Sequence, residues 1–190
     1  MSLRPIATLL LGLVLGGAAA AQQPDTAALL ARQREAMQPL AAMDGTWRGS
    51  LKLFQPGGAV RELVQTERVG PMLDGSIKVI EGRSYGADGR TEFNAFAIVS
   101  FDVASARYQF HSHALGHAGD FDFEARPDGF VWRVVMGPVT IRHAAVVKDG
   151  RWDEVTERLA EGQPPVKLVE LSLRRIGDTD WPAAGAVAPR

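Results

Sequence analysis

The stretch HSHALGHAG, from His111 to Gly119, holds three of the four histidines of the chain, and the fourth is His143. His111 and His113 are two residues apart on a candidate strand and therefore share a face. That spacing can present neighbouring imidazoles to Zn²⁺. A catalytic zinc needs about three protein ligands and an open position. His143, on another candidate strand, would have to supply the third, with Asp120 or Asp122 as further donors. Strand parity argues the other way. Tyr108, Phe110, Ser112 and Ala114 form the more apolar face, which turns His111, His113 and Gln109 outward. His117 falls in the turn, where parity assigns no direction. Without cysteine, or a helix bearing a glutamate, solvated or core-satisfied imidazoles are the favoured reading over a metal site.

Other constellations carry less. No glycine-rich loop links a strand to a helix in the manner of a phosphate cradle. Ser100, Ser112 and Ser172 lack the setting of a nucleophile elbow. Asp120, Asp122 and Glu124 alternate with Phe121 and Phe123, the pattern of a half-buried strand more than of a pair of catalytic acids. Glu154, Glu157 and Glu161, with Arg151 and Arg158, read as a hydrated strand face. The sequence leans away from an enzyme.

The elements that would position these residues are strands. From Asp44 onward, turn signals recur at Pro56-Gly57-Gly58, Asp74-Gly75, Asp88-Gly89, Ser105, Gly116 to Gly119, Asp128-Gly129, Asp149-Gly150 and Gly162 to Pro165. Asp-Gly pairs suit tight hairpins because the turn that matches strand twist needs positive φ. The runs between them are rich in Val, Ile, Phe, Trp and Thr, and few have room for a crossover helix. In GTWRGSLKLF, Trp47, Leu51 and Leu53 share a face, and in VKLVELSLRR so do Val169, Leu171, Leu173 and Arg175. The strand EFNAFAIVSFD is apolar on both faces, so something must cover part of its outer side, with the amino-terminal helix as the candidate. Closure removes the unpaired edges of a long meander. The expectation is an all-β, up-and-down antiparallel barrel of nine or ten strands over residues 44–176, preceded by a short amphipathic helix within 22–43. Asp25 or Thr26 would cap that helix, Leu29, Leu30, Gln33, Met37 and Leu40 form its stripe, and Pro39 ends or kinks it.

Composition sets the compartment. Residues 1–21 carry one basic residue, Arg4, an apolar run too short to span a bilayer, and an Ala19-x-Ala21 end, which together read as a cleavable signal peptide and predict a periplasmic or secreted protein. The chain has no cysteine, which excludes disulfides and a cysteine-linked lipid anchor. A mature chain of about 170 residues is long enough to be held by its own core. The net charge is −1, and −2 once Arg4 is removed (20 basic against 22 acidic residues), which gives no reason to expect nucleic acid or membrane insertion after signal cleavage. The tail, residues 177–190, has little to bury beyond Trp181 and is expected to be loose.

Gly45-Thr46-Trp47 before the first strand, with Arg175 in the last, resembles the signature of the lipocalin and fatty-acid-binding (calycin) superfamily. The resemblance implies that Trp47 packs across the closed end of the barrel under the guanidinium of Arg175, a cation-π contact of about 0.5–2 kcal/mol. LDGSIKVIEG, VSFDVASARYQFHSH and VKLVELSLRR are similar to the exported proteins grouped as domain of unknown function 1579, over most of the chain from Met43 to Ile176. GTWRGS also resembles the opening of nitrobindin-like haem barrels. Those carry a haem-ligating histidine on the final strand, and PPVKLVELSLRR has none, so haem, like zinc, is disfavoured and no cofactor is predicted. A small apolar molecule in the lumen is the leading expectation, with Phe121, Phe123, Trp132, Val134, Ile141 and His143 as lining candidates. The alternatives are a metal-dependent enzyme built on His111, His113 and His143, and an envelope interaction module that docks through its helix or tail.

Overall fold

The computed structural model describes residues 25–181, so the predicted signal peptide and the end of the tail lie outside the described residues. Helix α1, Thr26–Met37, is capped by Asp25, whose carboxylate accepts from the Ala27 and Ala28 amides. It passes into a 3-10 turn, Gln38–Met43, with Pro39 in its first positions, where a missing N–H costs nothing. Ten strands follow: β1 Gly45–Phe54, β2 Val60–Met72, β3 Ile77–Tyr85, β4 Thr91–Asp102, β5 Arg107–Ala114, β6 His117–Arg126, β7 Gly129–Met136, β8 Val139–Lys148, β9 Arg151–Ala160 and β10 Val166–Gly177.

Each strand pairs antiparallel with its sequence neighbours, and β1 pairs with β10 to close the ring. This is the expected up-and-down barrel, with ten strands. The turn at Gly137 and Pro138, between β7 and β8, is one that the turn signals above do not include, and the Asp74-Gly75 turn is a short 3-10 element, Leu73–Gly75. Because side chains alternate, one set from every strand points inward. On β1 and β10 these are the ones parity selects: Leu51 and Leu53, Val169 and Leu171 all line the lumen.

The two ends of the ring differ. At the end where β1 begins, α1 and the 3-10 turn lie across the opening, and Met37, Leu40 and Met43 are buried in one cluster with Trp47, Val99, Phe123, Phe130, Trp152 and Leu173. Several polar contacts fasten this plug. The Trp47 indole donates to the Met43 carbonyl (2.8 Å), the Tyr108 hydroxyl to the Ala36 carbonyl (2.6 Å), and Gln33 Nε2 to the Phe101 carbonyl (3.3 Å). Lys78, almost wholly buried, pairs with the Asp44 carboxylate just after the plug. Burial pushes the Lys78 ammonium below its usual range, and the Asp44 contact works against that shift.

Trp47 and Arg175 are register partners across the β1–β10 ladder, but the base is sealed differently from the superfamily expectation. Trp47 is fully buried and meets Trp152 edge-to-face at 5.7 Å. The Arg175 guanidinium instead donates to the Asp44 carbonyl (3.2 Å) and the Asp178 carboxylate (2.6 Å). The cation-π contacts among the described residues are Arg68 on Trp181 and Lys167 on Phe54. The plug and the residue that follows it bring one carbonyl to Trp47, from Met43, and one to Arg175, from Asp44, in place of the stacked guanidinium. Gly45 fits this corner because its φ is +142° and a Cβ there would stand 2.7 Å from Arg175 Nε.

The outer side of β4 is also covered otherwise than expected. Trp181, beyond β10, packs against Phe96 at 6.1 Å, and Arg68 lies over the same indole at 5.5 Å. The helix meets β4 at the plugged end, where Gln33 donates to the Phe101 carbonyl. The start of the tail is thus held against the barrel through Trp181.

Leu40→Ala should cost roughly 2–5 kcal/mol, because Leu40 is 1% exposed and the vacated space lies under the aromatic floor. Urea denaturation of the purified protein measures this, and a loss below 1 kcal/mol would mean that the segment only rests on the barrel end.

Candidate functional site

The lumen is a cavity of about 560 Å³, within the range of small-molecule sites. Its floor is aromatic. Phe123, Phe130 and Trp152 form part of it, directly above the plug, and Phe110 and Trp132 continue the wall. Leu51, Leu53, Leu63, Val169 and Leu171 supply the aliphatic side. At the opposite end Arg61, Glu92 and Phe93 stand at the mouth, with Arg61 and Glu92 ion-paired. Ten strands enclose more space than their own side chains fill, whereas a ring of about eight is just filled.

Two polar groups interrupt this apolar lining. The first comes from adjacent strands β2 and β3. Ser84 is the register partner of Gln65 and Gly82 that of Glu67. The Ser84 hydroxyl donates to Gln65 Oε1, and Gln65 Nε2 donates to Glu67 Oε1 at 2.6 Å. Gly82 makes the room: a Cβ there would lie 2.7 Å from Glu67 Oε1 and 2.8 Å from Oε2. Burial pushes the Glu67 carboxyl up to about 8, the Gln65 bond opposes this, and the charges of Glu154 and Glu81 add to it. Glu67 is half-buried and borders both the lumen and a shallow polar depression lined by Arg48, Arg68 and Arg83.

The second group comes from β8 and β9. His143 is stacked on Trp132 (3.7 Å between ring centres, planes 8° apart), and its Nδ1 lies 2.9 Å from the Thr156 hydroxyl. The same nitrogen is 3.5 Å from Glu154 Oε1, while the Trp152 indole donates to Glu154 Oε2 at 3.1 Å. Glu154 therefore belongs to the lumen, not to a hydrated outer face, since it alternates with Trp152 and Thr156 on the inner side of β9. Glu157, of opposite parity, is the outward residue and pairs with Arg142.

The six lining candidates separate. Phe123, Trp132 and His143 line the cavity. Phe121 packs on Phe110 and Trp132 beside it. Val134 and Ile141 are register partners on β7 and β8, half-buried and outside the lining.

The three histidines considered for a metal do not converge. His111 and His113 lie on the face of β5 opposite Phe110, Ser112 and Ala114, which border the cavity. Their rings meet edge-on at 4.8 Å, and His111 Nδ1 is 2.7 Å from the exposed Asp120 carboxylate. His113 and His117 border an open depression on the outer surface, with Glu81 and Phe96. His143 is inside. The barrel wall separates the pair from the third ligand, because the parity of β5 and that of β8 place them on opposite sides. Among the described residues no group of three or more His, Cys, Asp or Glu is arranged to hold a metal ion.

Gln65, Glu67 and Ser84 are absent from the sequence-derived candidates, yet the signal exists. In LVQTERV the apolar residues Leu63 and Val69 have the parity of Gln65 and Glu67, so one inward face carries two polar residues between apolar ones.

Neither the known protein-family profiles nor the curated protein sequences match this chain. Among solved structures, the barrel is similar to the crystal structure of Rv2717c from M. tuberculosis, with a TM-score of 0.56 and 12% identity, covering 74% of this chain and 97% of that one. At this identity the likeness shows the fold alone, a closed antiparallel barrel, and does not carry a function.

Glu67 also sets a pH dependence of stability. Its folded pKa, about 8, is above the ordinary 4.5. Below pH 4.5 both states hold the proton and nothing is lost. Between 4.5 and about 8 only the unfolded chain ionises, so stability falls across that window, by a few kcal/mol at most. Glu67→Gln should remove this slope and melt several degrees above the native protein at pH 8, with little difference at pH 4.5. Thermal melts of both proteins across the window provide the check, and parallel curves would show that the carboxyl is well hydrated.

Proposed function

We propose that this is an exported binding protein that takes a small, largely apolar molecule into its barrel. The observation that carries the reading is the lumen itself: about 560 Å³, lined mainly by aromatic and aliphatic side chains, plugged at one end and accessible at the other. An unfilled apolar cavity forgoes the dispersion contacts a packed core would make, and a ligand of matching size supplies them. The periplasmic or secreted location rests on residues 1–21, as read from the sequence. The burial of Met37 at the end of α1 and of Leu40 and Met43 in the 3-10 turn speaks for a structural role of that part of the segment.

A thermal-shift panel of fatty acids, isoprenoids, fatty alcohols and alkylamines tests the reading. Ligands should raise Tm in a concentration-dependent way, since anything that binds only the folded state stabilises it by mass action. They should also alter the fluorescence of Trp132 and Trp152, which border the cavity. Ala95→Trp, which places an indole in the lumen, should abolish both responses while the protein remains folded. If no apolar compound shifts the melt, or if Ala95→Trp binds as well as the native chain, the lumen is not a binding site.

A further inference from the structure

We infer that the lumen selects apolar molecules bearing a basic amine, the ammonium group being seated between the carboxylates of Glu67 and Glu154 above the aromatic floor. This rests on the lumen being a binding site and names the chemistry of its occupant. Both carboxylates border the cavity near its plugged end. Glu67 is the register partner of Trp47, and Glu154 is bonded to Trp152, the two indoles being in edge-to-face contact. The acids are thus brought to one region of the floor from strands on different parts of the ring.

Their partners leave a negative balance. Among the described residues neither carboxylate has a lysine or arginine within ion-pair distance; His143 lies 3.5 Å from Glu154, and Arg48, Arg68 and Arg83 border the depression that Glu67 shares without pairing with it. Glu67 accepts from Gln65 through Oε1, and no described group donates to Oε2. A carboxyl so placed either keeps its proton or acquires a cation. The arginine at the mouth, Arg61, is taken by Glu92. The walls also hold aromatic rings, Trp132, Trp152, Phe110 and Phe123, and an ammonium over a π face is favourable once desolvated. A fatty acid would instead bring its carboxylate to a floor that already holds the Glu154 carboxylate and, above about pH 8, that of Glu67 as well.

Binding of an ammonium requires Glu67 to release its proton to solvent. Around it stand Gln65 on its own strand, Trp47 on β1, Gly82 with the neighbouring Glu81 on β3, and Glu154 from β9, with Arg48, Arg68 and Arg83 bordering the outer depression that it shares. Glu81 and Glu154 both hold its proton on. Affinity for an amine should therefore rise close to tenfold per pH unit up to about 8 and then level, while an uncharged ligand should show no such trend.

Three probes of one chain length make the test: n-decylamine, 1-decanol and decanoate, titrated calorimetrically into the full mature chain at pH 6, 7 and 8. Decylamine should bind at least about tenfold tighter than either other probe at pH 8, with uptake of a proton by the buffer at pH 7. Glu67→Gln and Glu154→Gln should each weaken decylamine about tenfold or more and leave decanol within twofold, and Glu67→Gln should flatten the pH trend. The decanol response and an unchanged near-ultraviolet spectrum establish that the variants are folded. If decanol or decanoate binds and decylamine binds no better, the amine inference fails while the lumen reading stands. If none of the three binds, and the wider panel is also silent, both fail.

Discussion

Pairing of β1 with β10 is the constraint from which the rest follows. It turns a ten-strand meander into a ring, so every inward side chain faces every other across a shared interior. A ring of this size encloses more volume than the inward residues fill. The remaining space is divided by the amino-terminal segment, which occupies one end with Met37, Leu40 and Met43 and leaves the rest as a lumen. Removing either the closure or the plug would leave aromatic side chains facing water.

The plug also explains why the corner of the barrel departs from the pattern its sequence resembles. Trp47 and Arg175 stand opposite each other in the ladder, but each is claimed by the segment that precedes β1: the indole by the Met43 carbonyl and the guanidinium by the Asp44 carbonyl. A buried lysine, Lys78, adds an ion pair to the Asp44 side chain. Buried carbonyls and charges need partners, and here one short segment provides several at once.

Inside the lumen, the polar residues are arranged by strand pairing. Ser84, Gln65 and Glu67 form a hydrogen-bonded line because β2 and β3 place them as neighbours, and Thr156, His143 and Trp132 follow the pairing of β7, β8 and β9. A carboxyl at such depth is costly when ionised, and its raised pKa expresses that cost. The same cost makes it a selective partner for a cation that arrives with its own apolar body.

Local sequence determined a good deal of this protein. Asp-Gly pairs and the other glycine-bearing turn signals set most turns, alternation set the inner and outer faces of β1, β5, β6 and β10, and Asp25 set the start of α1. These are properties of residues within a few positions of each other, for which period two and turn stereochemistry suffice. The outward direction of His111 and His113 was legible for that reason, and so was the inward direction of Gln65 and Glu67 from their alternation with Leu63 and Val69. Only the tertiary structure decided which inward residues meet. That Glu67 and Glu154 share one floor, that Trp181 rather than α1 covers Phe96, and that Arg175 turns to Asp44 all depend on ring size, register and the path of the plug. Those are fixed by the sum of contacts around the closed sheet, and no single strand carries that information.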